Sequence, residues 1–129
     1  MGMVTVMLAG SHDESDWREF ATQYLTEWFG DRVRVLVVPR RFDIDPVSPA
    51  LITRLCLQHI SRADAVLARW SEAPSIGTAM EVAWAFQCNI PVYAVNAPDH
   101  LMLRGAVETF ADVTGALDAV CCAYSDFGG

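Results

Sequence analysis

The residues whose types and spacing could do chemistry lie in "SIGTAMEVAWA", residues 75–85. Ser75 and Thr78 offer hydroxyls, and Gly77 lets a ligand approach the backbone closely. A helix starting near Thr78 would point free N–H groups at the same space. Glu81 would then lie in the first turn, where the helix dipole favours an ionised carboxylate. An ionised carboxylate beside an anion-binding turn suits a nucleophile. The same residues, Thr78-Ala79-Met80-Glu81, also fit a capping box, in which Thr and Glu only complete a helix start. Spacing alone leaves both readings open.

Other candidates are weaker. "AGSHDESD" runs from an apolar segment into Gly10 and Ser11, a turn that could cradle a phosphate or a ribose. One glycine is not a dinucleotide fingerprint, and the same residues make an ordinary turn. Arg40 and Arg41 could bind a phosphate or carboxylate, or form a solvated loop pair. His12 and His100 could carry protons. Trp70 could stack on a planar ring, or pack in the core. Asp43 and Asp45 have no assignable partner.

The elements that must position these groups alternate. Residues 3–9, 32–39, 63–70 and 90–95 are short apolar runs and read as strands. Residues 15–29 place Trp17, Phe20, Tyr24, Leu25 and Trp28 at helical spacing, and Gly30 is a stop signal. Ser48 and Pro49 open a helix reaching about Arg62. A third helix ends near Gln87. Beyond it, residues 99–106 read as a short helix and 107–111 as an edge strand. Residues 112–124 read as a last helix, capped by Asp112 and interrupted by Gly115. This alternation predicts right-handed βαβ units in one α/β domain over residues 1–129. The expected architecture is a three-layer Rossmann- or flavodoxin-like fold, with four to five parallel strands covered by helices on both faces. Ligands of such folds sit beyond the C-terminal strand ends. The loops leaving those ends are 10–15, 39–48, 70–78 and 96–100.

The bulk properties narrow the partners. The 129 residues are 53% hydrophobic and 19% charged, with net charge −7. That acidity argues against nucleic acid or an anionic membrane as partner. It leaves room for a small anion held by local N–H groups. No apolar run reaches the roughly 20 residues of a membrane span. The N-terminus carries no basic segment before a long apolar region, so a cytoplasmic location is expected. Cys56, Cys88, Cys121 and Cys122 show no CxxC spacing and offer no metal or redox motif. No cofactor is implied. Four tryptophans in a small apolar domain predict a homodimer or higher homo-oligomer.

On these residues the sequence resembles the nucleoside 2-deoxyribosyltransferase superfamily. It looks most like its short members, including the 2′-deoxynucleoside 5′-phosphate N-hydrolases. "VTVMLAGS" is similar to the family's first strand and turn, and "DWREFATQYL" to a subgroup's first helix with its tryptophan–arginine pair. "PSIGTAMEVAWAFQCNIPVYAV" resembles the family signature. The resemblance implies cleavage or transfer of the N-glycosidic bond of a nucleoside or nucleotide. Glu81 would be the nucleophile, and Ser75, Gly10 and Ser11 would line the sugar side. It also implies that His100 or the "YSDFGG" tail could complete a neighbour's pocket. One departure stands out. The family places a carboxylate eight residues ahead of Asp64, where this chain has Cys56. The acidic "HDES" loop is a second departure, since it would repel a 5′-phosphate. Both departures keep an alternative in view: a catalytically degenerate module that binds a nucleotide-like ligand or another protein. A second, shorter similarity joins "GTAME" to the GTxxE portion of the cytokinin-activating phosphoribohydrolase motif.

Overall fold

A computed structural model describes residues 2–10, 17–37, 48–71 and 75–125. Five strands form one sheet: β1 (Val4–Gly10), β2 (Val33–Val37), β3 (Ala65–Arg69), β4 (Val92–Val95) and β5 (Glu108–Phe110). Their order is β2-β1-β3-β4-β5, and every neighbouring pair is parallel. The helices are α1 (Trp17–Phe29), α2 (Pro49–Ser61), α3 (Ile76–Gln87), α4 (Leu101–Ala106) and α5 (Val113–Ala123). The expected α/β three-layer fold with a parallel sheet is therefore present, with the full five strands.

The central strands are apolar on both faces because helices cover both. One layer packs α1 and α5 against Val4, Val6, Leu8, Leu67 and Tyr93. The other packs α2 and α3, with α4 beside them, against Met7, Ala9, Val66, Ala68 and Ala94. Alternate residues of β1 thus feed opposite cores, as the two-residue period of a strand requires. The chain leaves β1 toward one edge and returns across it to β3. This makes the β1/β3 boundary the topological switch point, where folds of this order open a crevice at the carboxyl ends.

Several boundaries differ from the sequence expectation, each for a local reason. The buried stripe of α1 is Trp17, Ala21, Leu25 and Phe29, while Phe20 and Trp28 are exposed. The helical period was legible, but the larger rings pulled its phase one residue away from the true core face. Gly115 does not interrupt α5. Its N–H donates to Asp112 Oδ1 at 2.7 Å, so it completes the cap in the first turn. Helix α3 stops at Cys88 because Asn89 turns left-handed at φ 59°. The Asn89 N–H then reaches the Phe86 carbonyl and the Ile90 N–H the Ala85 carbonyl, closing the helix end. Among the described residues, no helix is long and apolar enough to cross a membrane.

Candidate active site

Helix α3 begins at Ile76, two residues earlier than expected, and its N-cap is Ser75. The Thr78 N–H donates to Ser75 Oγ at 3.2 Å, and the Thr78 hydroxyl donates to the same oxygen at 3.0 Å. Thr78 itself is buried. The cap is thus complete without Glu81, and the capping-box reading of Glu81 does not hold. Glu81 lies in the second turn, beyond the reach of first-turn dipole stabilisation.

That shift changes the electrostatics. Burial pushes the Glu81 carboxyl up to about 7, and the Arg18 guanidinium opposes the rise. The expectation of a dipole-held, fully ionised carboxylate is corrected: at neutral pH Glu81 stands near the midpoint of its titration. Buried carboxyls with raised values are a common feature of functional sites, because the group can then both hold and release a proton.

Three elements surround Glu81. Helix α1 supplies Arg18, whose Nη2 donates to the Gly10 carbonyl at 2.7 Å. The Arg18 guanidinium also rests on the Trp17 ring, 4.7 Å from its centroid, a cation–π arrangement that fixes the planar group. Helix α2 supplies Cys56. Burial, and next the Glu81 charge, raise its thiol to about 11, so it stands neutral beside the carboxyl. Helix α3 supplies Gly77, one turn before Glu81 and on the same face. Helical side chains lean toward the N-terminus, so the Glu81 carboxyl leans toward Gly77. Among the described residues, a Cβ at Gly77 would have only Ser75 Oγ near it, at 3.9 Å. Among those residues, then, nothing crowds a side chain at this position.

Gly10 serves a different end. Its φ is +152°, and a Cβ there would lie 2.1 Å from the Arg69 carbonyl oxygen. It is glycine because β1 and β3 close on each other at that point, and its carbonyl anchors Arg18. The switch point therefore gathers Gly10, Arg18, Cys56, Gly77 and Glu81. Ser11 and Arg40, like His12, Arg41, Asp43 and Asp45, lie outside the described residues.

The remaining candidates assemble elsewhere. Trp70 is buried beyond β3, held by the Asn96 side-chain amide donating to its carbonyl at 3.1 Å. His100 caps α4, its Nδ1 accepting from the Met102 N–H at 3.1 Å. Trp70, Ser75 and His100 line a cleft of about 590 Å³ between α3 and α4, and Glu81 is not part of its lining. At 3.6 residues per turn, Glu81 shares the α2-facing edge of α3 with Gly77 and Trp84; the Trp84 Nε1–H donates to Ser61 Oγ on α2 at 2.9 Å.

Arg18 was missing from the sequence-based site residues. Its signal was available: an arginine in the first turn after a strand-end loop, next to a tryptophan able to shelve it. Among the described residues, no three His, Cys, Asp or Glu side chains gather as a metal site would need.

No protein-family model matches the chain, and no curated protein matches it either. Solved structures do. The Clostridium botulinum CMP N-glycosidase BcmB is similar with a TM-score of 0.60 and 17% identity, over 90% of this chain and 97% of that one. BlsM is similar with a TM-score of 0.64 and 18% identity, over 99% and 96%. A 3-dehydroquinate dehydratase-like protein from Bifidobacterium longum has a TM-score of 0.51 and 22% identity, over 97% and 99%. At these identities the likeness is one of fold. That fold, spanning nearly the whole of each chain, is consistent with the superfamily resemblance carried by the residues around Glu81.

Proposed function

We propose that this chain cleaves or transfers the N-glycosidic bond of a nucleoside or nucleoside 5′-monophosphate, with Glu81 as nucleophile. The observation that carries the reading is a largely enclosed glutamate near the β1/β3 switch point, its carboxyl raised by burial and opposed by an arginine that is anchored on the Gly10 carbonyl. The likeness of fold to a CMP N-glycosidase supports it.

In this reading one carboxylate oxygen of Glu81 bonds to the anomeric carbon as the carbon–nitrogen bond breaks. The electron pair leaves with the base, which takes up a proton. Water then attacks the anomeric carbon and frees Glu81, or a second base attacks and completes transfer. Only the ionised form can attack, so a carboxyl near 7 makes the reaction rise with pH through neutrality. Arg18 positions and balances the charge. Cys56 cannot share a proton with a sugar hydroxyl as a carboxylate would.

The neutral Cys56 thiol favours a second reading: a degenerate site that binds a nucleotide-like ligand without turnover, or a protein-interaction module of the same fold. One experiment separates them. Pure protein is incubated with a panel of nucleosides and 5′-monophosphates, and released base is followed by chromatography, with thermal shift in parallel. The catalytic reading expects multiple turnovers, reduced on the order of 10³-fold or more by Glu81→Ala. A thermal shift with no released base from any substrate supports the second reading and rejects the first. Release that Glu81→Ala leaves undiminished also rejects the first.

A further inference from the structure

Helices α2 and α3 run against the charge of the chain. Nine arginines and no lysine face 16 acidic residues, for a net charge of −7. Yet α2 holds no Asp or Glu, and the one acid of α3 is the enclosed Glu81. A groove of about 300 Å³ opens where the two helices meet, lined by Arg54, Leu57, Gln58, Ser61, Arg62 and Trp84.

Arg54 and Arg62 are exposed, and among the described residues neither guanidinium has a hydrogen-bond or ion-pair partner. The helix itself accounts for Arg62: at the C-cap of α2 it complements the negative end of the dipole. It does not account for Arg54. That cation stands in the second turn, nearer the positive end. Positions 50, 51, 57 and 58, three and four residues away, offer no acid to pair with it.

Trp84 forms the opposite wall. Its Nε1–H donates to Ser61 Oγ at 2.9 Å, and the Ser61 hydroxyl donates to the Leu57 carbonyl at 2.9 Å. The indole is thus pinned at its edge while the residue stays 38% exposed. A held aromatic ring beside two guanidinium groups offers a stacking shelf next to an oxyanion clamp.

The geometry points to a second binding site in this groove, for a small planar aromatic ligand bearing an oxyanion, either phosphate or carboxylate. The ring lies on Trp84 and Leu57, and the oxyanion sits over Gln58 between the two arginines. Eight residues separate Arg54 from Arg62, about 12 Å along the helix axis. An anion midway is then about 6 Å along the axis from either Cα, within reach of both side chains. The Gln58 amide adds a neutral donor. The volume stands at the small end of ligand pockets, which suits one ring and one anion rather than a polymer. Glu81 is one turn before Trp84 on α3 and does not line the groove, so the assignment is independent of the chemistry given to Glu81.

Titration of the isotope-labelled protein, followed by amide and indole N–H resonances, tests it. The probes are 1-naphthyl phosphate, 1-naphthoate and the uncharged 1-naphthol. At least one anion is expected to saturate with Kd of about 1 mM or tighter, and the stronger of the two identifies the oxyanion. The amides of 54–62 and the Trp84 indole N–H are expected to shift together. Arg54→Gln/Arg62→Gln is expected to weaken binding about tenfold or more, whereas Arg34→Gln/Arg104→Gln, which removes the same charge elsewhere, leaves it within about twofold. Four results would each overturn the assignment: no saturation by either anion up to about 10 mM, equally tight binding of 1-naphthol, equal weakening in the two double variants, or shifts confined to residues 75–81.

Discussion

Cys56 on α2 and Glu81 on α3 face each other across the seam between the two helices, and each shapes the other's chemistry. Burial is the main reason the thiol is raised to about 11, and the Glu81 charge is the next. Cys56 is therefore expected to alkylate slowly at pH 8, well behind exposed Cys122. Glu81→Gln removes the charge and leaves the burial, so Cys56 should alkylate several-fold faster in that variant. Peptide mapping after timed iodoacetamide treatment reads both rates. Equal Cys56 rates in the two proteins would mean the two side chains do not sense each other.

The raised Glu81 carboxyl also ties stability to pH. Its folded value, about 7, lies above the 4.5 of a free glutamate. Between those values the folded chain holds a proton that the unfolded chain has released. Stability from this group is therefore complete below about pH 4.5 and lost as pH rises through 7. The loss is on the order of 2 kcal/mol, allowing for the partial exposure of the group. Urea unfolding at pH 5 and pH 8 should show a larger drop for the wild type than for Glu81→Gln. Activity should move the opposite way, rising with pH as the nucleophilic form appears. A stability difference between the two pH values that is the same in both proteins would contradict a raised Glu81.

Gly77 offers a test of how a substrate reaches Glu81. Among the described residues, an added Cβ there meets only Ser75 Oγ at 3.9 Å, and no positive φ asks for glycine. Gly77→Ala should leave stability unchanged or raise it by up to about 1 kcal/mol, from helix propensity. Gly77→Leu should fold as well but place a branched side chain over the Glu81 carboxyl. KM is then expected to rise roughly tenfold or more, with the melting temperature held. A fully active Gly77→Leu variant would show that the ligand comes from another direction.

Much of this arrangement is legible in the sequence. The strand run ending at Gly10, and helices opened by Ser48 and Asp112, follow from local chemistry, and the alternation forces a parallel sheet. Cys56 is singled out only by the family resemblance, which expects a carboxylate there; that it lies on α2 beside Glu81 comes from the structure. Other features depend on partners distant in sequence. The phase of α1 could not be read while Ala21 competed with Phe20 for the core face. Whether Ser75 or Thr78 caps α3 differs by one turn of the same polar run. The protonation of Glu81 depends on how deeply α1 and α2 enclose it, which spacing does not encode. Asp64 illustrates the same limit. Its Oδ2 accepts the Thr5 N–H at 2.7 Å, joining β3 to β1 at the end of the sheet away from the site. No pattern within ten residues of Asp64 announces that bond.

Two glycines with positive φ separate backbone strain from steric exclusion. Gly30 follows α1 at φ +65°, and a Cβ there would meet nothing within 4 Å among the described residues. Gly10 has φ +152° and would place its Cβ 2.1 Å from the Arg69 carbonyl oxygen, inside the β1–β3 pairing. Gly30→Ala therefore carries only the left-handed strain, about 1–2 kcal/mol. Gly10→Ala must also push β1 from β3 and displace the carbonyl that holds Arg18, so a loss above about 3 kcal/mol is expected. Urea midpoints measure both. The displacement has a second readout, because freeing Arg18 removes the charge that restrains Glu81: the pH profile of activity should shift upward in whatever folded Gly10→Ala remains. Equal losses in the two variants would mean that β1 and β3 do not close on each other at Gly10, and that the switch point is wider than the geometry around Glu81 requires.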